Sequence, residues 1–169
     1  MEILDATVIT TALPVIAADF GVPATQLSIG VSAYLVAVTF FIPLSGYVAD
    51  KFGARNVFMA AIIIFVVASI LCGISTNLTS FTLSRIMQGI GGALMVPVGR
   101  LVVLRDLPKE KLVKTVAIIT WPALSAPILG PVLGGWIATH LSWQWIFFMN
   151  VPLGIFALIA SAYLLENFT

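Results

Sequence analysis

Residues 57–74 read VFMAAIIIFVVASILCGI, a run without a charge and without apolar–polar alternation. A stretch of about 20 apolar residues matches the thickness of a bilayer's hydrocarbon core when it is helical. Membrane β-strands instead show alternating segments of about 10 residues. An isolated strand in lipid would also leave its backbone N–H and C=O groups unpaired. This run is therefore a membrane-crossing helix.

Working outward from it, five further apolar runs follow the same pattern, giving six expected helices at about 3–18, 27–49, 56–75, 80–104, 113–139 and 143–165. The chain is read as an all-α membrane protein. Composition agrees: 60% of the residues are hydrophobic and 9% are charged, against about 25% charged in soluble domains. A signal peptide followed by a soluble domain is excluded. The net charge of +1 gives no reason to expect nucleic acid, and Cys72 is the single cysteine, so no intrachain disulfide can form. No nucleophile–base pair, metal-ligand spacing or phosphate loop is present, so neither an enzyme nor a cofactor or metal is expected.

Basic residues set the orientation. Lys51 and Arg55 lie between the second and third helices, and Arg100, Arg105, Lys109, Lys111 and Lys114 surround the connection from fourth to fifth. These mark the cytoplasmic side. DFGVPATQ (19–26), STNLT (75–79) and THLS (139–142) hold no Lys or Arg, so they face outward. Both termini are then cytoplasmic, in a multi-pass plasma or inner membrane protein. Trp136, Trp143 and Trp145 cluster at the outer ends of the last two helices, where interface anchoring is expected. His140, in the same loop, is read as exposed.

Several residues exceed what lipid solvation requires. In LSRIMQGIGGALMVPVGR (83–100), Arg85 and Gln88 are three apart and share a helix face, with Gly89 beside them. A guanidinium about 9 Å inside the span either snorkels to the headgroups or faces a wet cavity or a paired acid. In the fifth helix, Ala126, Gly130 and Gly134 recur every four residues, which lets another backbone approach. Pro127 and Pro131 in that helix remove backbone donors and bend it. The second helix ends in a charged turn containing Gly46, Asp50, Lys51, Gly53 and Arg55; Gly53 suits a positive φ, and Asp50 can bond an amide or a guanidinium. Asp5 is either a solvated charge at the start of its helix or a buried functional acid. PLSGYVAD (43–50) and PVLGGWIAT (131–139) form a faint repeat in helices of opposite direction, as in an inverted three-plus-three arrangement.

Taken together, LDATVITTALP (4–14), GYVADKFGAR (46–55), RIMQGIGGAL (85–94), APILGPVLGG (126–135) and WQWIFFMNVPLG (143–154) resemble, in order, the motifs of the N-terminal half of a major facilitator superfamily transporter. The resemblance is specifically to the fourteen-helix drug:proton antiporter branch. The resemblance implies half of a two-bundle exporter driven by protons, with a small lipophilic or cationic substrate. It assigns proton coupling to Asp5 and Arg85, and a cytoplasmic gate turn to Gly46, Asp50, Lys51, Gly53 and Arg55. It assigns the antiporter motif to Gly130, Pro131, Gly134 and Gly135. Ala54 and Ala126 depart from the family pattern, where a basic residue and a glycine are common.

Desolvation favours the protonated form of a buried carboxylate and a nearby Arg favours the charged form, so an acid whose neighbour moves can take up and release a proton. Whether Asp5 meets Arg85 is not written in the sequence. Alternating access needs a second bundle, and the first helix, at about 24 Å, is short against a core of about 30 Å. The expectation is therefore a truncated first helix and a fragment that lacks its C-terminal half. The alternatives are a half-transporter that works as a homodimer, and a non-transporting membrane interaction protein.

Overall fold

The computed structural model describes residues 2–104 and 108–164, all of whose regular elements are helices. They are α1 (Glu2–Phe20), α2 (Ala24–Phe41), α3 (Leu44–Phe52), α4 (Ala54–Gly73), α5 (Leu78–Leu104), α6 (Lys109–His140), α7 (Trp145–Phe148) and α8 (Asn150–Leu164). Six segments are long and apolar enough to cross a bilayer: α1, α2, α4, α5, most of α6, and α7 with α8.

Two expected helices are each divided, and proline accounts for both breaks. The helix expected over 27–49 stops at Phe41 and resumes at Leu44, with Pro43 in the joint and Ser45 Oγ donating to Ile42 O at 2.6 Å. The helix expected over 143–165 is interrupted at Met149. Pro152 has no N–H, so the Phe148 carbonyl lacks its α-helical donor; residue 165 lies outside the described residues, as does Arg105. Between α3 and α4, Gly53 turns the chain at φ 86°. That left-handed conformation carries a steric penalty for residues with a Cβ.

The helix pairing follows an inverted repeat in part; the extensive α4–α5 contact has no comparable counterpart between α1 and α7 or α8. The tight contacts α2 on α5 and α1 on α6 exchange with one another when the first three spans are swapped for the last three, and α4 on α8 maps onto itself. Glycines permit the close approaches: a Cβ at Gly89 would lie 2.7 Å from Tyr34 O, and one at Gly91 would lie 2.8 Å from Phe65 N. On the other pair, a Cβ at Gly130 or Gly134 would run into the hydroxyls of Thr7 and Thr11. The inner core joins Val8, Ile9, Ala12 and Ile16 of α1 to Leu27, Phe81, Ile146 and Phe147. A smaller cluster of Ala49, Ala54, Val57 and Val98 closes the basic end.

Trp143 differs from its expected place at the interface. It is 4% exposed, lies edge-on to Phe20 and Phe147, and its Nε1 donates to Asp19 Oδ2 at 2.9 Å. Trp136 and Trp145 remain exposed, as interface residues would be.

Candidate functional site

Five spans bring polar side chains to one point in the interior. Asp5 stands in the first turn of α1, Ser69 near the end of α4, Arg85 and Gln88 one turn apart on α5, and Asn150 at the start of α8. Tyr34 of α2 closes the remaining side. The three-residue spacing of Arg85 and Gln88 puts both on the face turned toward α1 and α4.

Arg85 Nη1 donates to Asp5 Oδ2 at 2.7 Å, and both side chains have zero exposure. Of the two readings of Arg85, the snorkelling one is thus set aside, and Asp5 is a buried acid rather than a solvated helix-end charge. Arg85 Nη1 also donates to Gln88 Oε1, which orients the amide so that Gln88 Nε2 can donate to Asp5 Oδ1 at 3.1 Å and to Ser69 Oγ at 2.9 Å. Asn150 Nδ2 supplies a further donor to Asp5 Oδ1 at 3.0 Å. Ser69 Oγ in turn donates to Phe65 O at 2.8 Å. A buried charge is tolerated when it is paired and its remaining lone pairs are bonded, and Asp5 meets both conditions. Arg85 Cζ lies 4.2 Å from the centroid of the Tyr34 ring, within cation–π range. Its Nε and Nη2, like the Tyr34 hydroxyl, are buried without a hydrogen-bond partner among the described residues.

The remaining expected positions fall elsewhere. Gly89 belongs to the α2–α5 contact rather than to the polar cluster. Gly130 and Gly134 form the seam with α1, whereas Pro131 is exposed and Gly135 has open space around it. At the basic end, Gly46, Asp50 and Lys51 are exposed, and Lys51 Nζ rests 5.4 Å from the Phe52 ring. Asp50, expected to meet an amide or a guanidinium, makes no ion pair among the described residues. Arg55 instead donates to Ala162 O at 2.8 Å, tying the start of α4 to the end of α8. Sequence reasoning passed over Ser69, Asn150 and Tyr34. The available signal was modest: a single Ser and a single Asn, each inside an apolar run, and Asn150 lay within a quoted motif.

The family model described as Major Facilitator Superfamily matches residues 1–168. "Probable transport protein HsrA" of Haemophilus influenzae is 44% identical over 99% of this chain and 36% of its own length. "Putative multidrug resistance protein MdtD" of Citrobacter koseri is 41% identical over 100% of this chain and 36% of its own. The chain thus spans about a third of the length of these curated relatives. Among solved structures, that of the proton:xylose symporter XylE superposes with a TM-score of 0.75 at 18% identity, covering 95% of this chain and 42% of that one. At that identity, the likeness speaks for the fold.

Proposed function

Because the chain belongs to the major facilitator superfamily, we propose that it is the N-terminal six-helix half of a membrane transporter that exports small molecules in exchange for protons. The observation that carries this reading is the Asp5–Arg85 pair, sealed from solvent, with both Asp5 oxygens hydrogen-bonded. In transporters of this kind, one bundle rocks against another around a site at mid-membrane. If rocking draws Arg85 away, Asp5 would be left as a bare buried charge, and taking up a proton is the low-cost remedy. Return of the guanidinium would then expel that proton. Gln88 and Asn150 would hold the carboxyl in place through both states, since each bonds it by a side-chain amide.

The names of the relatives favour export of drug-like molecules, and the resemblance of the motifs favours proton antiport. The partner bundle would cover the apolar face of α2 and α6, where Val36, Phe40, Trp121 and Ile128 are between 68% and 74% exposed. A second copy of the chain could occupy the same face, which is the second reading. In the membrane we place the end carrying Lys51, Arg55 and Arg100 in the cytoplasm.

The test is extrusion of a fluorescent dye from liposomes under an imposed pH gradient. The chain would be reconstituted alone and with a separately produced C-terminal half of a superfamily exporter. Extrusion that needs the second half, collapses with the gradient and disappears in Asp5→Asn is the expected result. Extrusion by the chain alone would favour the paired-copy reading. Extrusion indifferent to the gradient or to Asp5→Asn would overturn proton coupling.

A further inference from the structure

Arg85 is held by α2 as well as by the acid of α1. Its Cζ lies 4.2 Å from the centroid of the Tyr34 ring, and the two side chains are buried, Tyr34 at 2% exposure and Arg85 at 0%. The hydrogen bonds of the guanidinium leave from Nη1 alone, to Asp5 and Gln88. Nε and Nη2 have no partner among the described residues, and neither has the Tyr34 hydroxyl. What Tyr34 offers the arginine is therefore the face of its ring. The same helix also boxes in the arginine's stem, since Cγ is 3.8 Å from where a Cβ on Gly30 would stand. Gly89 and Gly92 follow Arg85 along one face of α5. They leave room for the Tyr34 carbonyl and hydroxyl, which lie 2.7 and 3.2 Å from a Cβ placed on each. Tyr34 and Arg85 are thus lodged in one seam between α2 and α5, whereas Asp5 belongs to α1. The other acid of α1, Glu2, has its carboxyl carbon 3.5 Å from the same Gly92 point, near the Tyr34 hydroxyl, and makes no ion pair among the described residues.

We propose that Tyr34 is a positioning residue: its ring keeps the Arg85 guanidinium in place while Asp5 is neutral, so that the arginine neither escapes to water nor turns to another acid. The proposal rests on the proton-exchange reading and adds where the guanidinium waits. An arginine stays charged throughout, so once Asp5 takes a proton, Arg85 becomes the buried charge without a counter-ion. A cation–π contact is strongest when it is desolvated, and the ring's pull is felt most by a cation whose counter-ion has just been neutralised. Because α2 and α5 interlock at Gly89, the arginine and its ring would part from Asp5 together and return to it together.

In the test, Asp5→Asn stands for the protonated acid. The purified chain in nanodiscs is treated with phenylglyoxal, which modifies accessible guanidinium groups, and the rate at Arg85 is read by peptide mass spectrometry. Tyr34→Leu should raise that rate about tenfold or more in the Asp5→Asn background, and less than about twofold in the unaltered chain. Tyr34→Phe, which keeps the ring, should leave both rates unchanged. A merely structural role for Tyr34 would move both backgrounds alike. Unfolding in mixed micelles with rising SDS covers the case in which Asp5→Asn combined with Tyr34→Leu does not fold: adding Arg85→Met, which removes the stranded cation, should then restore folding. The proposal is overturned if Tyr34→Leu exposes Arg85 equally in both backgrounds or in neither, or if Tyr34→Phe behaves as Tyr34→Leu does. It is also overturned if Glu2→Gln exposes Arg85 as much, or if Arg85→Met fails to restore folding. None of these measurements needs a gradient or flux, so a chain that fails to extrude dye would still give distinct outcomes here.

Discussion

Replacing Asp5 by Asn should destabilise the bundle more than replacing Asp5 and Arg85 together. In Asp5→Asn the guanidinium keeps Gln88 Oε1 and the Tyr34 ring, but it has no negative charge within reach and no exposure through which to hydrate. Removing one partner of a buried pair in this way costs about 3–5 kcal/mol. At about 1.4 kcal/mol per decade, that lowers the folded-to-unfolded ratio by a factor of more than a hundred. Adding Arg85→Met removes the stranded charge while keeping most of its volume, and the amide at position 5 still accepts from Gln88 and Asn150. The double variant should then lie within about 1–2 kcal/mol of the starting chain, because a buried pair replaced as a unit is often near neutral. Since Arg85→Met alone strands Asp5 and should also cost about 3–5 kcal/mol, the implied coupling is about 4 kcal/mol or more, above the usual range for residues in contact. Reversible unfolding in mixed micelles with rising SDS, followed by tryptophan fluorescence, measures all four corners of the cycle. A double variant that loses the sum of the two single losses would refute the idea that charge pairing, rather than packing, holds Asp5 and Arg85 together.

Gly134→Ala places a Cβ 2.8 Å from Val8 O and should cost about 1–3 kcal/mol through overpacking. Gly135→Ala and Gly46→Ala, which meet nothing within 4 Å, should be neutral or slightly stabilising in the same SDS titration. Gly53→Ala must adopt φ 86° and should lose about 1–2 kcal/mol, by the same readout. Trp143→Phe deletes the bond to Asp19 and should cost about 1 kcal/mol, whereas Asp19→Asn, which keeps an acceptor, should cost less. A cysteine at Lys51 should be labelled by an impermeant maleimide only from the cytoplasmic face, and one at Asn77 only from the other; labelling of both from one side would reverse the proposed topology.

Much of the architecture was legible because lipid leaves so few options. Continuous apolar runs such as 57–74 admit only helices, and their number followed from counting them. What the runs could not convey was interruption: Pro43 and Pro152 each sit in sequence that is otherwise apolar and helical, and a proline near a helix start can continue a helix or break it. Trp143 was misplaced for a related reason. Its amphipathic ring suits an interface or a core equally well, and the choice was made by Asp19, far away in sequence. At the candidate site, Arg85 and Gln88 declared themselves by polarity inside a span, and helix spacing united them. Ser69 and Asn150 make their case only through where α4 and α8 are packed, which local sequence does not specify. Asp50 and Arg55 show the converse: they are neighbours in sequence, yet the guanidinium is taken by a carbonyl of α8.

The two sides of α1 are attached differently, and that difference governs what can move. Asp5 near one end and Asp19 near the other, about 21 Å apart by helix rise, hold α1 by side-chain bonds to α5, α8 and the Trp143 turn. Against α6 it meets glycines, with one long hydroxyl–carbonyl contact of 3.4 Å from Thr7 to Ala126. A load on the bundle would therefore carry α1 along with the pinned group and be relieved at the glycine face. There, sliding breaks few hydrogen bonds, so a small axial step of α6 along α1 is a separate movement from the one that would part Asp5 from Arg85.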